Sequence, residues 1–218
     1  LGDVYKRQEL ARTMVQLGKD AGVKTRALVT AMDVPLGLTA GNALEVRESV
    51  EVLAGGGPSD VVELTILLAR EMIDAAGIVG KDPADALKDG SAMDHWRRMI
   101  SAQGGDPDAA LPVAREQHVV KAANSGIITT MDAMKVGVSA WRLGAGRSKQ
   151  GEKVQAGAGI ELHAKPGDYI TAGSPLMTLH TDEAPRFERA LEILEGAVTI
   201  VEGGTVNRLP LVLERIEG

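Results

Sequence analysis

Residues 34–48 read Val34-Pro35-Leu36-Gly37-Leu38-Thr39-Ala40-Gly41-Asn42-Ala43-Leu44-Glu45-Val46-Arg47-Glu48. The apolar run at 27–32 before them is short and aliphatic, which predicts a buried strand that ends at Asp33. The segment 37–41 is typical of a glycine loop, and the apolar spacing after it predicts a helix over 42–53. Strand, loop and helix would form half of a βαβ unit. The loop would then lie at the carboxyl end of the strand, where ligands bind in open α/β sheets.

The residues alone leave the ligand of this loop open. A helix N-terminus favours an anion. Glu48, about two turns into the helix, would instead bind a cation together with carbonyl oxygens of the loop. In a third interpretation Gly37 and Gly41 only shape a turn and Glu48 is a solvated surface acid. The residue pattern by itself favours this third interpretation.

Two segments of this region, Asp33-Val34-Pro35-Leu36-Gly37 and Gly41-Asn42-Ala43-Leu44-Glu45-Val46-Arg47-Glu48, resemble the pyrimidine nucleoside and thymidine phosphorylases. The resemblance continues through Ala102-Gln103-Gly104-Gly105-Asp106 and Leu143-Gly144-Ala145-Gly146-Arg147, and it covers residues 9–215. It implies a pentosyltransferase of nucleoside salvage, in which phosphate attacks C1′ of thymidine. The products would be thymine and 2-deoxyribose 1-phosphate.

The resemblance also implies a cation site. In that family two backbone carbonyls of this loop and a glutamate of the next helix hold a monovalent cation. Matched position by position, these ligands fall on Leu36, Thr39 and Glu48, so we expect K⁺ or a similar ion there. Thr39 stands where relatives can carry a different small residue, a change that a carbonyl ligand tolerates. We expect no organic cofactor.

The catalytic and phosphate-binding residues are expected to lie outside this chain. In the family a phosphate loop and the residues that bind the pyrimidine come from segments upstream of the matched region. We therefore expect a C-terminal fragment that is inactive alone, from a parent enzyme that is a homodimer and binds phosphate and a pyrimidine nucleoside. Whether the parent also accepts uridine would depend on those segments. Residues 1–8 depart from the family pattern, which predicts a foreign or disordered tail.

The composition of the chain argues against several other classes of protein. A net charge of -6 and 2 % aromatic residues argue against a nucleic-acid partner. No apolar run approaches the ~20 residues needed to cross a bilayer, and residues 1–8 lack the apolar core of a signal peptide. The absence of cysteine excludes disulfides, thiol catalysis and cysteine-ligated zinc, and fits a cytoplasmic protein.

The predicted fold class is α/β, in two units that meet after residue 112. Residues 9–112 would be the C-terminal part of a phosphorylase α/β domain, with part of a mixed sheet and flanking helices. Its longest helical pattern, 60–78, carries an apolar stripe that predicts one buried side. Residues 113–218 would form a small α+β domain.

The second unit is predicted to contain hammerhead-like hairpins. Two glycine-flanked stretches, 151–157 and 167–173, repeat at a fixed offset and indicate short hairpins folded against one another. Val154 and Ile170 would then face a shared small core. His163 and His180 are predicted at strand ends rather than as metal ligands.

Two alternatives to the phosphorylase interpretation remain, a biotinyl or lipoyl carrier domain and a non-catalytic structural fragment. Ala133-Met134-Lys135 matches the core of a biotin attachment motif, and residues 167–176 resemble the hammerhead turn of carrier domains. Biotinylation requires the lysine at the tip of an exposed hairpin. Residues 131–138 are instead predicted to be helical, which favours coincidence.

Overall fold

A computed structural model describes residues 2–147, 149–203, 205–206 and 209–218, and side chains from residue 6 onward. The helices in this part are α1 (Gly2–Asp20), α2 (Asn42–Leu53), α3 (Ser59–Ala75), α4 (Pro83–Lys88), α5 (Ser91–Ala102), α6 (Ala133–Ala140), which continues into a wide turn at Trp141–Ala145, and α7 (Arg186–Leu194). The strands are β1 (Arg26–Thr30), β2 (Thr39–Gly41), β3 (Glu116–Lys121), β4 (Gly126–Met131), β5 (Gly159–Leu162), β6 (Tyr169–Ile170), β7 (Pro175–Thr181), β8 (Val198–Val201) and β9 (Val212–Glu217).

The strands form three sheets with the orders β1-β9, β2-β5-β7-β3 and β6-β4-β8. The predicted α/β class is confirmed. Every strand pair among the described residues is antiparallel. The predicted strand at 27–32 corresponds to β1, but its partner is β9 from the end of the chain rather than a parallel strand of a βαβ unit.

The short strand β2 connects the key loop to the second half of the chain. It pairs with β5, with Gly41 opposite Gly159. A Cβ atom on Gly41 would lie 2.5 Å from the carbonyl oxygen of Ala158, so glycine permits this close approach. The first unit of the sequence prediction therefore contributes a strand to the sheet of the second, and the boundary after residue 112 stays a prediction.

The main core lies in the second half of the chain, where the four-stranded sheet, the three-stranded sheet, α6 and α7 pack together. Its largest fully buried apolar side chains are Ile128, Met131, Leu143, Ile160, Leu162, Met177, Leu179 and Val136. The second predicted hairpin stretch carries β6, and its Ile170 is buried. The prediction for Val154 was wrong, because residues 151–157 form no strand and 37 % of Val154 is exposed.

Two helices of the first half present apolar faces to the outside. Leu10, Met14 and Leu17 of α1 are exposed, and α3 has no buried residue. The predicted burial of one side of α3 is therefore not found in this structure. Residues 2–8, set apart as a tail, belong to α1. Leu1, the remaining residue of the predicted tail, lies outside the described residues.

Candidate cation site

The loop between β1 and α2 wraps around the carboxylate of Glu48. Gly37 has a φ of 69°, a left-handed conformation that favours glycine. A Cβ atom at Gly37 would lie 2.0 Å from Glu48 Oε2. Gly37 therefore does more than shape a turn, because the absence of a side chain lets the backbone approach the carboxylate of Glu48.

Glu48 is an unusual acid because it is buried, with 8 % of its surface exposed. Its Oε1 accepts a hydrogen bond from the Leu38 N–H at 2.7 Å. Burial raises the pKa of Glu48, and this outweighs the opposing effect of the Leu38 hydrogen bond. The third interpretation, a solvated surface acid, does not fit this geometry.

The Thr39 hydroxyl also lies beside this carboxylate. A weak hydrogen bond from this hydroxyl favours the charged form of Glu48 and opposes the rise of its pKa that burial causes. By strict hydrogen-bond geometry, however, the buried Oγ1 atom has no partner among the described residues. A buried polar atom without a partner costs free energy unless a ligand or water satisfies it. The buried Thr39 Oγ1 atom is therefore incompletely satisfied and lies next to a buried negative charge.

The backbone of Thr39 has a defined orientation. Leu162 donates its N–H to the carbonyl of Leu38, and Ala40 pairs with Ile160. Because hydrogen-bonded residues alternate along an antiparallel strand, the Thr39 carbonyl is directed away from β5. Such a carbonyl is available to a ligand on the other side of the strand.

Thr39 and Glu48 line one cavity of about 210 Å³, together with Glu51, Glu161 and Arg47. Leu36, the third predicted ligand, is not among the lining residues, although it directly precedes Gly37. In the part of the chain that the structure describes, Glu48 has no ion-pair partner, and no cluster of three or more His, Asp or Glu side chains is arranged to hold a metal. One buried carboxylate without an ion-pair partner, beside neutral oxygens of the loop, suits a monovalent cation better than a divalent one.

Two charged residues beside the loop were not predicted to belong to the site, one in contact with the loop and the other paired with it. Asp60, the second residue of α3, accepts hydrogen bonds from the N–H groups of Gly37 at 3.2 Å and Val61 at 3.0 Å, and it forms an ion pair with Lys165. Burial alone would raise the pKa of Asp60, but the hydrogen bond and charge of Lys165 bring it below the ordinary value. Asp60 carried only a helix-start signal, and no local pattern linked it to a lysine 105 positions away.

The two histidines are held within the four-stranded sheet region. His163 Nε2 lies 2.7 Å from the Thr178 hydroxyl. His180 is buried in β7 with its Nε2 atom 3.6 Å from a Glu161 carboxylate oxygen, and burial lowers its pKa. Neither contact assigns a metal to them.

Lys135 lies in α6, as the helical prediction requires. Asp132 accepts a hydrogen bond from the Lys135 N–H at the start of the helix, and Lys135 Nζ donates to the Glu195 carbonyl at 2.6 Å. A lysine held in this way is not at the tip of a hairpin. The geometry therefore does not support a biotin attachment site.

No helix in the described part of the chain combines the length and the apolar character that a bilayer span requires.

Comparison with known proteins relates the chain to one group of enzymes. Residues 127–201 match the pyrimidine nucleoside phosphorylase C-terminal domain. The chain is 53 % identical over 209 residues, 96 % of its length, to a thymidine phosphorylase of Mycobacterium tuberculosis, of which it covers 49 %. It is 35 % identical to a pyrimidine-nucleoside phosphorylase of Staphylococcus epidermidis over 93 % of the chain and 49 % of that protein. For human thymidine phosphorylase the identity is 36 %, over 80 % of the chain and 40 % of that protein. The chain thus spans about half the length of these curated relatives.

Proposed function

Since this chain belongs to the pyrimidine nucleoside phosphorylase family, we propose that it supplies the C-terminal half of a thymidine phosphorylase. The parent enzyme would convert thymidine and phosphate to thymine and 2-deoxyribose 1-phosphate. The observation that carries this proposal is the 53 % identity to the Mycobacterium tuberculosis enzyme along 96 % of the chain. The parent would be a cytoplasmic homodimer whose partners are phosphate and a pyrimidine nucleoside.

In this proposal the described residues support the reaction without touching the reacting atoms. The reaction passes through a sugar with oxocarbenium character, and such enzymes stabilise charge on the phosphate and the departing base. We assign no catalytic or phosphate-binding residue to this chain. Its contribution is a loop whose conformation the remainder of the enzyme would use.

The proposed cation ligands are the carbonyls of Leu36 and Thr39 and the carboxylate of Glu48. Support comes from the uncompensated charge of the buried Glu48 and the unpartnered Thr39 Oγ1 atom. A bound K⁺ would neutralise the carboxylate and hold residues 36–39 in one conformation. The cation is thus proposed to fix the loop rather than to take part in bond cleavage.

The experiment that tests the proposed activity is thymidine phosphorolysis with a divided enzyme. The 218-residue chain is assayed alone, mixed with the N-terminal half of the Mycobacterium tuberculosis relative, and fused to that half; the N-terminal half alone is the control. We expect no activity from either part alone and phosphorolysis from the fusion or the mixture. Activity of the chain alone would show that phosphate and base bind where we assign no site, and an inactive, folded fusion would contradict the proposal.

A second experiment tests the cation ligands in the active fusion. Replacing Glu48 by Gln keeps the size of the side chain and an acceptor for the Leu38 N–H but removes the charge. We expect activation by KCl, measured at constant ionic strength, to disappear in Glu48→Gln. The control is Glu51→Gln, which lines the same cavity but lies on the exposed side of α2. If Glu48→Gln keeps the potassium dependence of the parent fusion, the assignment of this ligand is wrong.

A further inference from the structure

An ion pair joins the two halves of the chain beside the candidate cation site. Lys165, in the turn between β5 and β6, contacts Asp60 at the start of α3. The exposed fractions of the two side chains are 20 % and 31 %, so the pair is largely shielded from solvent. A shielded pair is less weakened by salt than a surface pair, and this one links elements that are distant in sequence.

The ion pair reaches the loop through one atom. Asp60 Oδ2, which contacts Lys165, also accepts the hydrogen bond from the Gly37 N–H. The next N–H along the chain, that of Leu38, is bound by Glu48. Two carboxylates therefore hold two successive backbone N–H groups, and the loop conformation depends on both.

The two carboxylates differ in how their charges are compensated. The charge of Asp60 raises the pKa of Glu48, so the two acids repel each other. Lys165 compensates Asp60, whereas Glu48 has no cationic side chain within ion-pair distance among the described residues. This division leaves Glu48 as the buried carboxylate without a protein counter-charge, which an external cation would compensate.

We propose that Asp60 and Lys165 are positioning residues for the monovalent-cation site, in which the ion pair holds Gly37 so that the loop oxygens face Glu48. This inference rests on the proposed site of Leu36, Thr39 and Glu48. It makes Lys165, from the C-terminal half, a determinant of cation affinity although it is not a ligand.

A positioning role and a purely electrostatic role of Lys165 predict opposite effects on cation binding when Lys165 is removed. Lys165 is a positive charge near a cation site, so Coulomb's law alone predicts that its removal strengthens cation binding. If the pair positions the loop, its removal weakens cation binding because the oxygen ligands lose their arrangement. One substitution therefore separates the two explanations.

The test measures the melting temperature of the 218-residue chain against KCl concentration, with choline chloride keeping the ionic strength constant. The wild-type chain is expected to show a saturable rise in melting temperature with K⁺. For Lys165→Met the half-saturating K⁺ concentration is expected to increase about tenfold. Lys165→Arg, which retains the charged contact, should stay close to wild type. The control Lys88→Met removes an exposed lysine of α4 and should leave the titration unchanged.

Asp60→Asn provides a second variant, in case Lys165→Met fails to fold. The amide oxygen still accepts the Gly37 N–H, but the ion pair is lost, and we expect weaker K⁺ binding. Unchanged or tighter binding in folded Lys165→Met or Asp60→Asn would overturn the positioning role while leaving the cation site intact. A wild-type chain that responds equally to K⁺ and choline would overturn the site and the positioning role together.

Discussion

At Gly37 the backbone conformation and the neighbouring carboxylate impose separate demands. The left-handed φ of 69° disfavours any side chain, and a Cβ atom would meet Glu48 Oε2 at 2.0 Å. Gly77, after α3, has the same φ of 69° but no atom within 4 Å of its Cβ position. The two glycines therefore form a matched pair in which only one carries the steric contact.

We predict that Gly37→Ala destabilises the chain more than Gly77→Ala does. The conformational penalty alone is about 1 kcal/mol at both positions. The displaced Glu48 carboxylate should add roughly 1–3 kcal/mol at Gly37. Urea unfolding of the two variants measures the difference, and equal losses would show that the loop does not enclose Glu48 tightly.

Lys165 and Asp60 show why some residues of the site could not be predicted from the sequence. Asp60 and the helix that begins beside it were visible as local signals, and Lys165 was not distinguished from other surface lysines. Their contact depends on how α3 meets the turn after β5, which no local spacing encodes. The resemblance pointed to Leu36, Thr39 and Glu48, but the burial of Glu48 and the unpartnered Thr39 hydroxyl required the fold.

At the scale of elements, the local sequence patterns predicted single helices and strands whose apolar spacing is clear. The helix predicted over 42–53 corresponds to α2, and the predicted strand at 27–32 overlaps β1. The pairing of the strands was not predictable, because β1 pairs with β9 and β2 pairs with β5 across long stretches of sequence. The glycine repeat gave a false hairpin at 151–157, since flanking glycines mark turns whether or not the intervening residues find a strand to pair with.

The β1–β9 sheet is fastened to α3 through Glu71. Its carboxylate accepts hydrogen bonds from Arg215 Nε at 2.7 Å and from Arg26 at 3.0 Å. The Arg215 hydrogen bond is the largest effect on the pKa of Glu71, which is lowered. One acid thus joins both strands of the sheet to the helix.

We predict an acid-dependent stability contribution from this contact. Because the pKa of Glu71 is lower in the folded chain, its contribution is fully present above the unfolded value of about 4.3 and is lost as pH falls through the folded value. The difference in melting temperature between wild type and Glu71→Gln should therefore shrink on acidification below that pH. Glu63→Gln, at an exposed position of the same helix, is the control. A difference that is constant down to strongly acidic pH would contradict the ion-pair explanation.

At the scale of the whole molecule, the two halves differ in how their apolar residues are covered. The core side chains of the second half are buried, whereas α1 and α3 expose apolar side chains such as Met14 and Met72. Contiguous apolar faces of this kind are rare on monomeric proteins and mark interaction surfaces. Under the proposed function, we expect the N-terminal half of the parent enzyme to cover the α3 face, because the chain spans about half the length of its relatives.

We predict that a charge introduced on the α3 face lowers the recovered phosphorolysis but leaves the stability of the chain almost unchanged. Met72 is 66 % exposed, so Met72→Lys should change the free energy of unfolding of the 218-residue chain by no more than about 0.5 kcal/mol. The same substitution should lower the phosphorolysis recovered when the chain is mixed with the N-terminal half, because the buried interface would then contain an unpaired charge. Met134→Lys on α6, where 75 % of the side chain is exposed, introduces the same charge on the second half and should leave the recovered activity unchanged. Equal recovery with both variants would place the N-terminal half on another surface.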